Sequence, residues 1–188
     1  AMNYQHCMAL DAGSRLVAAV PLSHVTGVIA LLAATVRCAG ALITMPAFRA
    51  SEFLALAARE RMTHSLIVPA MYNLCLLEPD FSRFDLAAWR IGAYGGAPMP
   101  AATIAALAER LPQLGLMNAY GATETTSPTT LMPPQDTAAR RDSVGATWPH
   151  LASCLIGYSP PAERAFAGGF VTTLHILAGT FCAALGGM

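Results

Sequence analysis

From Leu16 to Asn118, short apolar runs of strand length alternate with stretches of helical length. This alternation restricts the fold more than any other feature of the sequence. Leu16–Val20 is apolar and is stopped by Pro21; Ala41–Met45 is closed by Pro46; Ser65–Val68 runs into Pro69, and Arg90–Tyr94 into Gly95. Leu114–Asn118 is the last strand expected in the series. Between these runs lie Val25–Cys38, apolar on nearly every face, and then Glu52–Arg61, amphipathic and expected to be capped by Ser51. Two proline-initiated helices, Pro69–Leu77 and Pro100–Leu111, complete the set. Strands that are apolar throughout belong in a sheet covered on both faces. The expected fold is therefore α/β, a mainly parallel sheet flanked by helices. In such sheets ligands bind beyond the carboxyl ends of the strands. The unusual sequences sit there: Pro21–His24, Gly95–Pro98 and Tyr120–Thr125.

Composition narrows the functions open to the chain. Only 12% of its 188 residues are charged, against the roughly 25% usual in soluble domains, so much of its surface must be apolar. Eleven arginines, no lysine and eleven acidic residues give zero net charge. That balance excludes the basic field of a nucleic-acid binder, and no nucleic-acid partner is expected. Without lysine there can be no Schiff base and no ammonium point charge on a phosphate. The five cysteines are scattered and odd in number, which favours free thiols, a reducing compartment and a cytoplasmic location. Ala1-Met2-Asn3 is expected to be a tag remnant ahead of an initiator methionine, with no cleavable leader behind it. Beyond Thr126 the character changes. Ser127–Asp142 reads as a proline- and threonine-rich connector, and 165–188 carries no charged side chain. That tail is long enough to span a bilayer, but its glycines, threonines and His175 dilute it, and a membrane span is not expected.

Three segments carry functional chemistry. Gly95-Gly96, just past a strand, can aim backbone N–H groups at an anion or let the chain pass close to a flat ligand; equally, a glycine pair before Pro98 can be a plain turn. Asn118–Ser127 offers an aromatic face at Tyr120, a flexible Gly121, several hydroxyls and one carboxylate, Glu124. That set suits a nucleotide phosphate with magnesium, although it also suits a hydroxyl-rich surface loop. His24 follows a strand and a proline, where it can border a pocket or sit buried against a carbonyl. His6, His64, His150 and His175 lack metal-ligand spacing, and Trp89 and Trp148 read as packing residues.

Pro21-Leu22-Ser23-His24-Val25-Thr26-Gly27, Tyr94-Gly95-Gly96-Ala97-Pro98 and Asn118-Ala119-Tyr120-Gly121-Ala122-Thr123-Glu124-Thr125, in this order, resemble the adenylate-forming superfamily of acyl-CoA synthetases and AMP-dependent ligases. Asp142-Ser143-Val144-Gly145 resembles that family's next turn. The likeness covers residues 16–150, with 1–15 as a lead-in and 151–188 as a divergent hydrophobic tail. It implies part of the family's large N-terminal domain. Residue by residue, it implies that Gly95, Gly96 and Ala97, followed by Pro98, line an adenine and acyl-adenylate pocket with Asn118 and Gly121. Tyr120 would lie against adenine, Thr123 would bind the α-phosphate, Glu124 would ligate Mg2+, and His24 would border the acyl carboxylate. ATP and coenzyme A would be the co-substrates, with AMP as a product and a fatty or aromatic carboxylic acid as the acceptor.

The sequence also departs from the family. A phosphate loop ending in lysine would stand upstream of Pro21, and nothing in residues 1–20 resembles it. The ribose-binding aspartate, the hinge and the closing domain with its lysine would come downstream, yet from Leu151 the sequence no longer follows the family. A truncated or frame-shifted ligase, without full activity alone, is therefore expected. The alternative is a non-catalytic nucleotide- or acyl-binding fragment that self-associates, for instance as a homodimer.

Overall fold

Strand-forming and helix-forming segments alternate along the chain as the apolar pattern requires. The computed structural model describes residues 1–137, 139–140 and 143–145. Helix α1 (Met2–Cys7) precedes β1 (Arg15–Ala18). A π-helical segment, Thr26–Ala33, then runs without a break into α2 (Ala34–Cys38). There follow β2 (Ala41–Thr44), α3 (Ala50–Arg59), β3 (His64–Ile67), α4 (Pro69–Leu76) and β4 (Ile91–Tyr94). Helix α5 (Ala101–Arg110), β5 (Gly115–Tyr120), β6 (Thr130–Met132) and α6 (Pro134–Thr137) complete the series.

The strands form one sheet in the order β2-β1-β3-β4-β5-β6, parallel except for the β5–β6 pair. The α/β sheet expected from the sequence is thus present, with an antiparallel strand added at one edge. Two-residue alternation divides the core. Leu16, Ala18, Leu66, Ala93, Met117 and Ala119 face α1 and the π/α2 helix. Val17, Ile67, Tyr94 and Leu116 face the layer containing Phe53, Leu54, Tyr72 and Leu107. Each large side chain buried this way contributes about 1.5–3 kcal/mol. Covering both faces is why the strands could be apolar at every position.

Several local expectations are revised. Ser51 does not cap α3: Arg49 holds the extended cap position, and Ser51 lies inside the first turn. Glu52 and Arg59 nevertheless fall in the first and last turns, as the helix dipole favours. The Ser127–Asp142 connector contains β6 and α6, so Leu114–Asn118 is not the last strand. Helix α1 was also unforeseen. It docks through Tyr4 and Met8, 1% and 0% exposed, and His64 Nε2 on β3 donates to the Met8 carbonyl at 2.9 Å. Burial lowers the His64 pKa to about 4.

Trp89 packs as expected, 1% exposed, stacked on Tyr72 and edge-on to Phe53. Cys7, Cys38 and Cys75 are free thiols. Among the described residues no helix is long and apolar enough to cross a membrane. Trp148, His150, His175, Cys154, Cys182 and the 165–188 tail lie outside the described residues.

Candidate functional site

The strand order reverses direction between β1 and β3, whose outgoing connections pass to opposite faces of the sheet. A crevice opens beyond the carboxyl ends of the strands at such a reversal. The chain leaves β1 through a turn in which the His24 N–H donates to the Pro21 carbonyl at 3.1 Å. Gly27 then lies so close to that turn that a Cβ would stand 2.2 Å from the Pro21 oxygen. His24 is exposed, and its Nδ1 accepts the Thr26 N–H at 3.2 Å, which leaves the neutral ring's proton on Nε2. The buried histidine bonded to a carbonyl, one of two readings open for His24, is instead His64.

Beyond β4, Gly95 runs against the end of β5: a Cβ there would stand 2.3 Å from the Ala119 oxygen. Gly96, at φ +79°, takes a left-handed conformation that suits glycine and turns the chain toward Ala97 and Pro98. Gly95 thus lets the chain pack directly on the end of β5, and Gly96 makes the turn.

At the end of β5 the buried Asn118 donates from Nδ2 to the Ser143 carbonyl at 3.3 Å. Thr130 Oγ1 donates to the Val144 carbonyl at 2.6 Å, so β5 and β6 together seat the 143–145 turn. The Tyr120 ring is 55% exposed. The loop that follows is stitched by its own groups. The Ala122 N–H donates to Thr125 Oγ1 at 3.0 Å, and that hydroxyl donates back to the Ala122 carbonyl at 2.9 Å. Thr126 N–H reaches the Thr123 carbonyl at 3.0 Å. This single 3-10 turn leaves Thr123 and Glu124 exposed.

Two hollows meet over this edge. One, about 500 Å3, is lined by His24, Gly95, Gly96, Gly121, Thr123 and Glu124, with Tyr4, Val20, Leu66, Ile67, Val68 and Ser127. The other, about 470 Å3, is lined by Gly96, Ala97, Pro98, Asn118, Tyr120 and Gly121, with Ser143 and Val144. They share Gly96, Ala119 and Gly121. Every residue singled out from the sequence as a site residue lines one hollow or the other. A larger depression, about 900 Å3, lies at the opposite edge by the last turns of α4 and α5, among Leu76, Phe81, Leu86 and Arg110. None of the singled-out residues reaches it.

Among the described residues Glu124 is the only carboxylate on the two hollows, and no arginine lines them. Among the described residues no group of three or more His, Cys, Asp or Glu could hold a metal ion. A divalent cation here would thus depend on Glu124 together with ligand oxygens and water, which is how Mg2+ commonly binds beside phosphates. The donor set fits that mode. Sequence reasoning missed Tyr4, the β3 residues Leu66 and Ile67, and Val68 just beyond them. The last three look like ordinary strand residues until the β1–β3 pairing places them at the crevice.

Comparison with known proteins agrees with this architecture. The model of the AMP-binding enzyme family matches residues 1–158. Over 185 residues the chain is 29% identical to the putative acyl-CoA synthetase YngI of Bacillus subtilis, covering 96% of this chain and 34% of that protein. Over 141 residues it is 32% identical to the human mitochondrial medium-chain acyl-CoA ligase ACSF2, covering 72% of this chain and 22% of that one. The N-terminal domain of FACL13 from Mycobacterium tuberculosis superposes with a TM-score of 0.72 at 27% identity, over 78% of this chain and 36% of that one. The amide bond synthetase McbA from Marinactinospora thermotolerans gives 0.68 at 30% identity, over 79% and 30%. The chain therefore spans about a third or less of the length of these relatives. Because the family match runs through the sheet and both hollows, and the fold is that of the family's N-terminal domain, the chain belongs to the AMP-binding, acyl-adenylate-forming enzymes and corresponds to part of that domain.

Proposed function

We propose that this chain supplies the adenylate-binding edge of an AMP-forming carboxylate–CoA ligase. The observation that carries the reading is the convergence of His24, Gly95–Pro98 and Asn118–Glu124 on two adjoining hollows at the carboxyl edge of a parallel sheet. The hollow beside Gly95 and Gly96 takes the flat adenine, with the exposed Tyr120 ring against it and Ala97, Pro98, Asn118 and Gly121 around it. Thr123 donates its hydroxyl to the α-phosphate, and Glu124 holds Mg2+, which when bound offsets phosphate charge. His24 offers Nε2–H to the acyl carboxylate. In the reaction a carboxylate oxygen attacks the α-phosphorus of ATP, and the bond to pyrophosphate breaks. A thiol, that of coenzyme A, then attacks the acyl carbon and releases AMP. Hydrogen-bond donors fixed where charge develops lower such barriers. The likeness to acyl-CoA synthetases and ligases supports an acyl-CoA product from a fatty or aromatic acid.

Residues 16–150 form the core of the ligase part in this reading, with 1–15 leading in and 151–188 a hydrophobic extension, although the family match itself reaches across 1–158. The sequence has no lysine, so turnover requires a cation on the transferring phosphates that these residues do not provide. The chain then binds adenylates weakly and does not exchange pyrophosphate into ATP by itself. Free thiols support a reducing, cytoplasmic setting. A second reading, a self-associating non-catalytic fragment, draws on Val28, Leu32 and Val36, which are 39%, 42% and 71% exposed along one helix.

Calorimetric titration with ATP·Mg2+ and with a non-hydrolysable acyl-adenylate mimic tests the proposal, alongside pyrophosphate exchange. Saturable binding that Glu124→Ala weakens only when Mg2+ is present is the expected result. A folded chain that binds neither ligand would overturn the nucleotide reading and leave the fragment.

A further inference from the structure

The loop bearing Thr123 and Glu124 closes on itself. Ser127 N–H donates to the Ala122 carbonyl at 3.3 Å, and Thr129 N–H donates to the Tyr120 carbonyl at 2.8 Å. Gly121 packs on Ser127, where a Cβ would stand 3.0 Å from Ser127 Oγ. The β5–β6 pairing at Tyr120 and Thr130 holds the two ends of this loop, and its tip is placed by other contacts. Among the described residues a single hydrogen bond ties residues 121–128 to another element: the buried pair Tyr4 OH and Ser127 Oγ, 3.0 Å apart and 123 positions apart in sequence.

We propose that Tyr4 is a positioning residue that fixes this loop, through Ser127, so that Thr123 and Glu124 face the hollow. The functional half of the proposal rests on the roles given above to those two residues. Tyr4 is suited to the task because its ring cannot follow the loop. It is 1% exposed and sits in the apolar cluster with Met8, Leu16, Leu31 and Leu66. The end of α1 is held in turn by His64 on β3 through the Met8 carbonyl. A continuous set of contacts therefore runs from β3 through α1 to the loop. Burial pushes the Tyr4 hydroxyl up to about 12, so it remains protonated and able to bond at neutral pH. Tyr4 and Ser127 also line the same hollow as Thr123 and Glu124, so movement of the tether is felt at the site itself.

Tyr4→Phe removes the hydroxyl and keeps the packed ring; Ser127→Ala removes the partner. Amide hydrogen exchange in both variants should rise about tenfold at Thr125, Thr126 and Ser127, the effect of one lost buried hydrogen bond. Exchange in β3 and β4 should stay as in the parent chain. The double variant should be no looser than either single one, because both break the same bond. Unchanged loop exchange, or a loss of protection spread evenly through the sheet, would overturn the proposal. The functional readout is the ratio of ATP affinity with and without Mg2+, expected to fall about tenfold in Tyr4→Phe through Glu124, beside a smaller loss of metal-free affinity through Thr123. A loosened loop with that ratio unchanged would refute the link to the site. If the parent chain binds no ATP, the ligase reading fails by itself, and exchange alone decides whether Tyr4 fixes the loop.

Discussion

Acidification should destabilise the fold through the buried His64, because the unfolded chain takes up a proton there that the folded chain does not. His64 is 1% exposed, donates through Nε2 to the Met8 carbonyl and lies with Nδ1 2.7 Å from Thr63 Oγ1. Burial, opposed in part by the Met8 bond, brings its pKa down from 6.5 to about 4. The unfolded chain therefore takes up a proton near pH 6.5 that the fold refuses until about pH 4. Stability from this group is complete above pH 6.5 and falls as the pH drops toward 4. Between pH 7 and 4.5 the loss is about 2.5 kcal/mol. Asp11, held low chiefly by the Ser14 hydroxyl, and Glu60, held low chiefly by its bond to Arg59, lose their contributions as the pH falls through the carboxylate range, which overlaps the lower end of the His64 window. Comparison with a variant lacking His64 cancels their share. Urea unfolding of the parent chain and of His64→Gln, whose amide can still reach Met8, should be followed at pH 7 and pH 4.5. The parent should lose about 2.5 kcal/mol more than the variant over that interval. Equal losses in the two proteins would refute the assignment of a neutral, buried His64.

Other perturbations test the packing and the site. Gly95→Val drives a side chain into the Ala119 carbonyl, where even a Cβ would be 2.3 Å away, and should cost about 3 kcal/mol or prevent folding, as read by thermal melting. Trp89→Leu removes the donor to Ser65 Oγ and the Ile91 carbonyl along with the rings' contacts to Tyr72 and Phe53. It should lower unfolding free energy by about 3 kcal/mol. Glu124→Ala, at an exposed position, should leave stability within about 0.5 kcal/mol while removing the Mg2+-dependent part of ATP binding, a dissociation that calorimetry and melting can check side by side.

Much of the architecture was legible because strand and helix obey different periods and because proline and glycine punctuate them. Continuous apolar runs stopped by Pro21, Pro46, Pro69 and Gly95 correspond to β1, β2, β3 and β4. The three-residue β6 was hidden because Thr130–Met132 lies between Pro128 and the Pro133-Pro134 pair, and its pairing with β5 is a tertiary fact. The π-helical winding of Thr26–Ala33 leaves no mark in a segment apolar on nearly every face. At the site, glycines and hydroxyls past strand ends were visible because they are costly inside strands. The two readings open for His24 could not be decided locally, because burial of a single imidazole depends on what packs over it: α1 covers His64, whereas His24 is exposed. Tyr4 gave no signal, since its partner Ser127 is 123 positions away.

The central claim is that adenylates bind at the carboxyl edge of the sheet. Titrating the 15N-labelled chain with ATP·Mg2+ and mapping the amide shifts tests it most directly. The account predicts perturbations concentrated at Gly95–Ala97, Asn118–Glu124 and Ser143–Gly145. Shifts gathered instead around Leu76, Phe81, Leu86 and Arg110, or no shifts with ligand in large excess, would contradict it.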